Sequence, residues 1–270
     1  CNSRKIMKIL FFSDIDGTLI HAHAIADSVK EAVLEFTQRG NLFSLATGRN
    51  AFAIRWITDQ LAVNAPCVLL SGAALYDTAR GAVTNEKPLT QQVLPALAIL
   101  MDEYPALGVQ VFTKNGLHNL RLNPFLQEHG ILEEISCPVS DIRSLEQEQI
   151  LKIGLCCEDT SQIESAASRL FSDPRLYQWN YSFITGAEVL SPQASKGIAM
   201  RTVIERMPEK PDCIAAAGDS GNDLSMFACA DITFAPETAF PEVREAADYS
   251  IPPPEQGGIA QALKILMAQA

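Results

Sequence analysis

The stretch Lys8-Ile-Leu-Phe-Phe-Ser-Asp14-Ile-Asp16-Gly-Thr18-Leu-Ile20 decides how the rest of the chain is read. Ile9 to Ser13 is an apolar, aromatic-rich run of buried-strand length, and it stops at two carboxylates one residue apart. Two acids so close cannot enter a core without protonation or a counter-charge, so their place at a strand end points to a bound cation, a divalent metal first. Gly17 permits a tight turn, and Thr18 offers a hydroxyl to fix the loop. An Asp-rich turn with no further role is the plainer alternative, because turns favour Asp and Gly.

Composition bounds the reading. At 270 residues the chain has room for two units, each with its own core, and 47% hydrophobic with 20% charged residues is ordinary for a globular protein. A formal net charge of -11 argues against nucleic acid or an anionic membrane as the main partner. It does not exclude a phosphorylated substrate, since a metal and a few local cations invert the field inside a cleft. No apolar stretch reaches membrane-spanning length, and Ile9 to Phe12 is too short for a signal-peptide core, so the expected compartment is the cytoplasm. The residues before Met7 are expected to stand outside the fold. Seven cysteines, odd in number and without Cys-x-x-Cys spacing, read as reduced thiols rather than a zinc site or a disulfide framework. Nothing in the sequence fixes the oligomeric state.

Working outward, a helix is expected from Asp27-Ser28 to Arg39-Gly40, with Gly40 ending it. A second strand, Leu42 to Ala46, runs into Thr47-Gly48-Arg49. A helix through Phe52 to Leu61 and a strand Cys67 to Leu70 follow, ending at Ser71-Gly72-Ala73. Strand and helix alternating with short links predicts a parallel sheet, with ligands at the carboxyl ends of its strands, where these polar turns fall. From about Thr78 the rhythm changes: a strand at 82–86, a helix at 90–104, a hairpin across Lys114-Asn115-Gly116, a helix at 123–130, a strand at 150–156, a helix at 161–171, and strands at 176–181 and 183–190. The alternating pattern resumes after Pro192 with a helix at 196–207, a strand at 213–217, a helix at 222–228, a strand at 231–234 and closing helices near Val243 and at 259–267; Pro252 to Pro254 reads as a rigid turn. An α+β unit, 78–190, thus interrupts one α/β unit, 8–77 and 191–270.

The last strongly polar turn is Gly218-Asp219-Ser-Gly-Asn222-Asp223, after a strand of small residues. Asn222 or Asp223 taken singly reads equally well as a helix N-cap. Asp219 is different: if its strand neighbours the first, Asp14 and Asp219 converge on one cation, and hard carboxylate oxygens with water suit Mg²⁺.

Asp14-Ile-Asp-Gly-Thr, Ala46-Thr-Gly-Arg49, Ser195-Lys196-Gly and Gly218-Asp-Ser-Gly-Asn-Asp223, in this order, resemble the four motifs of the haloacid-dehalogenase-like (HAD) superfamily, and within it the Cof-type phosphatases. The resemblance runs from Ile9 to the C-terminus. It implies a Rossmann-like parallel-sheet core with an inserted α+β cap, and a phosphatase acting on small phosphorylated metabolites, sugar phosphates first and phosphorylated cofactors second. It further implies Asp14 as nucleophile, Asp16 as general acid and base, and Mg²⁺ held by Asp14, the backbone carbonyl of Asp16 and Asp219. Thr47, Gly48 and Lys196 would bind the phosphoryl group, with Arg49, Asn222 and Asp223 in support; Arg49 reads alternatively as a salt-bridge anchor of its loop.

Two departures stand out. Ser71-Gly72-Ala73 replaces the Asn-Gly-Ala usual in the Cof-type pattern, and Ala235-Pro236-Glu237-Thr238-Ala239 stands where Gly-Asn-Ala is expected. A phosphomutase or phosphotransferase of the same superfamily, or a binding protein that keeps the fold, are the alternatives, although no nucleophile, lysine or metal carboxylate is missing. In the cap, Trp179, Tyr181 and Phe183 alternate with Asn180, Ser182 and Ile184, which fits core packing or an aromatic platform; His118 and Lys114 near the hairpin read as surface residues or as substrate contacts.

Overall fold

The computed structural model describes residues 7–183 and 186–269, apart from the side chains at positions 129, 132, 133, 182 and 183. Two strands, Ile9–Ser13 (β1) and Leu42–Leu45 (β2), flank an amphipathic helix, Asp27–Gln38. Gly40 lies just past that helix at φ +89°, the left-handed conformation that lets a chain leave a helix cheaply. Cys67–Leu69 (β3) joins β2's edge through one bridge, Ala46 to Val68, and forms a small antiparallel sheet with Ala74–Asp77 (β4) and Ala82–Thr84 (β5).

The chain then builds a second sheet from Gly108–Thr113 (β6), Leu117–Arg121 (β7), Ile150–Cys156 (β8), Gln178–Phe183 (β9) and Gly186–Leu190 (β10). Its order is β7-β6-β8-β10-β9, every neighbour antiparallel. It returns through Cys213–Ala217 (β11), Ile232–Pro236 (β12) and Tyr249–Ile251 (β13) to complete the first sheet, β13-β12-β11-β1-β2, all parallel. The architecture is α/β, a Rossmann-like parallel sheet interrupted by an α+β unit, as the alternation of elements implied.

Strand β1 is central and covered on both faces, which is why it is apolar throughout. Ile9 and Phe11 face the layer of helices Asp27–Gln38 and Gly258–Gln269, while Leu10 and Phe12 face helix Lys196–Arg206. The Phe11 ring stacks on Phe43 at 5.7 Å and meets Phe36 edge-on at 6.5 Å. A buried Phe of this kind contributes about 3–5 kcal/mol.

The second sheet is covered on one face by apolar packing. Val109, Val111, Ile153, Leu155, Ala187 and Val189 pack against helices Val93–Glu103 and Thr160–Leu170. Its other face carries Gln110, Lys152 and Glu188 and turns toward the loops of the first sheet.

Several elements differ from expectation. The helix expected over Phe52 to Leu61 is helical only at Arg55–Thr58, preceded by turns, because the segment's aromatic and β-branched residues are weak helix formers. That expected over 222–228 opens as a single 3₁₀ turn, Gly221–Asp223, before Leu224–Phe227. Strands β4 and β13 were not expected; each is four residues or fewer. Of the strand expected at 183–190, Ile184 and Thr185 lie outside the described residues, as do the residues before Met7 and Cys1 among the cysteines. Trp179 packs with the apolar layer and meets Tyr181 edge-on at 5.8 Å, so these two aromatics belong to the helix-covered side. Lys114 pairs with Glu86 at 3.3 Å, and His118 hydrogen-bonds Ser144 at 3.3 Å. Among the described residues the six cysteines are free thiols, and no helix is long and apolar enough to cross a membrane.

Candidate active site

The carboxyl ends of β1, β2 and β11 and the polar face of the second sheet enclose a cavity of about 430 Å³. Asp14, Asp16, Thr47, Gly48, Arg49, Lys196, Asp219 and Asn222 all line it. Asp223 lies directly behind, fully buried. Residues from opposite ends of the chain meet because β1 sits between β2 and β11: the Asp14 amide donates to the Ala217 carbonyl at 2.9 Å, and the Ala46 amide to Ser13 at 2.8 Å.

Lys196 is the centre of the charge network. It opens helix Lys196–Arg206, whose N-cap Ser195 accepts from the Ile198 amide at 3.1 Å. The Lys196 Nζ donates to Asp14 Oδ1 at 2.7 Å and to Asp223 Oδ1 at 2.6 Å. Burial disfavours its charge, but the two carboxylates outweigh burial and hold the ammonium above its ordinary range. Asp14 moves upward too, through burial first, against the pull of Lys196 and with the repulsion of Asp223 and Asp219 added. Asp219 is pushed up to about 6 by burial and Asp223, opposed by a 2.9 Å hydrogen bond from Thr18. Three acids thus face one ammonium.

Asp223 fixes the loop before it. Its Oδ2 accepts the amides of Asp219 and Ser220, each at 3.0 Å, so one carboxylate both organises the turn and holds Lys196. Gly218 is required beside it, since a Cβ there would stand 2.4 Å from that of Asp223. Asn222 accepts from Ser220 at 3.0 Å and donates to Glu188 at 3.4 Å.

Asp16 points the other way. Both its oxygens accept from Arg49, at 2.8 and 2.7 Å, a bidentate pair that ties the first loop to the second. The Thr47 hydroxyl accepts from the Arg49 amide at 3.1 Å. Behind this loop, Leu70, Ser71 and Gly72 all have positive φ, 49°, 53° and 98°. That unusual turn sends the amides of Leu70 and Ser71 to the carbonyls of Arg49 and Thr47, at 3.1 and 2.9 Å, and fixes the loop from below.

The second sheet supplies residues that motif reading passed over. Lys152 Nζ donates to the Gly48 carbonyl at 2.5 Å, lies 3.7 Å from Glu188 and stands over the Phe112 ring at 4.4 Å. Glu188, 1% exposed, accepts from the Ser71 hydroxyl at 2.6 Å. Ser71 is therefore partnered across the cavity. Glu134, also buried, accepts from Asn50 at 3.4 Å; burial pushes it up to about 7, against Lys152 and Arg49. The signal available in sequence was a charge embedded in an apolar strand, Lys152 in Ile-Leu-Lys-Ile and Glu188 in Ala-Glu-Val-Leu.

The donor set suits a hard divalent cation. Oxygens of Asp14, Asp219 and Asp223 lie within 4.8 Å of one another, and their summed charge exceeds that of Lys196. Asp223 is already committed to Lys196 and two amides, so within this cluster Asp14 and Asp219 are the carboxylates able to offer oxygens to such a cation.

The haloacid dehalogenase-like hydrolase family matches residues 11–263, and the chain belongs to that family. It is an enzyme, a HAD-like hydrolase, and its relatives are assigned as phosphatases. It is 28% identical over 96% of its length to YkrA of Bacillus subtilis, a protein assigned as a phosphatase, of which 97% is covered. It is 24% identical to YwtE of the same organism, a 5-amino-6-(5-phospho-D-ribitylamino)uracil phosphatase, over 94% of this chain and 96% of that one. Among solved structures it shares the fold of the HAD subclass IIB sugar phosphatase BT4131, with a TM-score of 0.83, 21% identity and coverage of 96% and 99%.

Proposed function

We propose that the protein is a Mg²⁺-dependent phosphatase of small phosphorylated metabolites, sugar phosphates first. The observation that carries this reading is the meeting of Asp14, Lys196, Asp219 and Thr47 at one end of a cavity wide enough for a small metabolite. Asp14 attacks the phosphorus in line and forms an aspartyl-phosphate, releasing the substrate's alcohol. Asp16 protonates the leaving oxygen after parting from Arg49, and then takes a proton from the water that hydrolyses the intermediate. Lys196 opposes the burial that raises Asp14 and, with the Thr47 hydroxyl and the Gly48 loop, holds the phosphoryl oxygens. Asp14, Asp219 and the Asp16 carbonyl would hold Mg²⁺, which supplies charge neutralisation between carboxylate and phosphate. Asn222 and Asp223 keep the metal loop in place.

On this reading residues 8–77 and 191–270 are the catalytic core and 78–190 the cap that selects the leaving group. Free thiols at the six described cysteines suit a reducing, cytoplasmic compartment. The test is phosphate release from sugar phosphates, nucleotides, pyridoxal phosphate, flavin mononucleotide and phosphoglycolate, with Mg²⁺ and with chelator. Release that stops with chelator and returns on adding Mg²⁺ is expected; release indifferent to chelator would remove the metal assignment, and release from none of them the phosphatase reading.

A further inference from the structure

Glu188 of β10 is a buried carboxylate that the proposed chemistry does not use. Its Oε2 accepts from the Ser71 hydroxyl at 2.6 Å, the length of a charge-assisted bond, and its Oε1 accepts from the Asn222 amide at 3.4 Å, a weaker contact. Both partners belong to the other unit of the chain. The counter-charge is Lys152 on β8, 3.7 Å away. The Ser71 hydroxyl, the Lys152 ammonium and Glu188 Oε2 converge on Gly48, where a Cβ would stand 3.4, 3.6 and 3.8 Å from them.

The backbone at Ser71 needs such a hold. Leu70 and Ser71 lie in the left-handed region at φ 49° and 53°, which residues with side chains seldom adopt, and Gly72 follows at 98°. A turn of this kind persists where its surroundings over-determine it. On one side it packs against the start of helix Lys196–Arg206, since a Cβ on Gly72 would collide with the Ser195 carbonyl. On the other, the buried Ser71 hydroxyl is held by Glu188. The same turn sets the loop beside it through the amides of Leu70 and Ser71, which donate to the carbonyls of Arg49 and Thr47. A line of bonded groups therefore runs from Glu188 through Ser71 to Thr47.

Resting on the phosphatase reading above, we propose that Glu188 is a positioning residue that locks the turn at Leu70 to Gly72 and, through it, fixes the Thr47 to Arg49 loop against the phosphoryl group. Ser71, a departure from the Cof-type pattern, is the residue through which it acts. Because the effect falls on the phosphoryl site, loss of Glu188 is felt alike by every phosphate donor, whatever its leaving group.

The experiment measures kcat/KM on acetyl phosphate and on the phosphate esters named above, for the wild type, Glu188→Ala, Glu188→Gln, Ser71→Ala and the Glu188→Ala, Ser71→Ala double variant. Calorimetry gives the Kd of inorganic phosphate with Mg²⁺ for the same proteins. Glu188→Ala is expected to lower kcat/KM about 10- to 100-fold, the scale of a lost hydrogen bond to a charged group, and to weaken phosphate binding. The loss should agree within about fivefold across every donor the wild type accepts. The double variant should fall no more than about threefold below the worse single variant, because both changes break one bond. Glu188→Gln, whose amide oxygen still accepts from Ser71, should recover most of the loss, and it keeps the test open if the Ala variant does not fold. Losses that differ between donors by more than about fivefold would make Glu188 a leaving-group contact and overturn the inference. So would unchanged turnover or phosphate binding in a folded Ala variant, multiplicative losses in the double variant, or a Gln variant as impaired as the Ala variant. Each of these leaves the phosphatase reading standing; a wild-type protein that accepts none of the donors would overturn both.

Discussion

The two five-stranded sheets put their chemistry in different places. In the parallel sheet the central strands β1 and β11 are covered on both faces, so polar groups gather at the carboxyl ends of strands, in loops where several residues in succession can face one point. In the antiparallel sheet one face is covered by helices and the other lines the cavity, so its polar groups come one from each strand, at alternate positions. The first arrangement concentrates charge for bond breaking, and the second spreads single contacts over a surface suited to recognising a shape.

If that division is right, substitutions in the two sheets fail differently. Asp14→Asn should lower phosphate release by about four orders of magnitude or more, because the nucleophile is gone while the Lys196–Asp223 pair survives. Circular dichroism should be unchanged, and appreciable residual turnover would break the comparison at its strongest point.

The same acid-to-amide change beside the second sheet, Glu134→Gln, should show in stability rather than chemistry. Glu134 sits near 7 in the folded protein against an ordinary 4.5, so the folded state keeps a proton that the unfolded chain has released. Stability is therefore greatest below about pH 4.5 as far as this group is concerned, and its contribution is lost as pH rises to about 7. Between pH 5 and 7 the variant should lose about 2 kcal/mol less than the wild type, read from urea denaturation across that range. An identical pH dependence in the two proteins would mean that Glu134 is not buried as described.

Lys152→Met should have the smallest effect of the three. KM should rise about tenfold with kcat within about threefold, as expected for a contact made equally before and during the reaction. A loss confined to kcat would instead place Lys152 in the chemistry, and the division between the sheets would need redrawing.

The same difference explains what could be read from the chain alone. Asp14-Ile-Asp16, Thr47-Gly48-Arg49 and Gly218 to Asp223 are legible because a strand-end loop writes its site as consecutive residues. The convergence of Asp14 with Asp219 followed from placing β1 beside β11. Gln110, Lys152, Gly154 and Glu188 form one surface but stand on three strands, each alone among apolar residues, and only the register of β6, β8 and β10 assembles them. The turn at Leu70 to Gly72 was also hidden, since Leu and Ser seldom adopt positive φ and nothing local announces it. A salt-bridge anchor was one of two readings the sequence left open for Arg49; geometry alone names Asp16 as its partner.

The position of β1 between β2 and β11 also has a consequence in time. Asp14 and Lys196 are separated by 182 residues, and the whole second sheet is made between them. At ribosomal speeds of about 5–20 residues per second, β11 follows β1 by roughly ten to forty seconds. Throughout that interval the nascent chain displays an apolar strand with one edge unpaired and carboxylates without their ammonium partner. The site around Asp14 is thus completed only after the second sheet has been made, and a ribosome that stalls before Lys196 releases a chain that holds the strands of the second sheet but lacks the ammonium partner of Asp14.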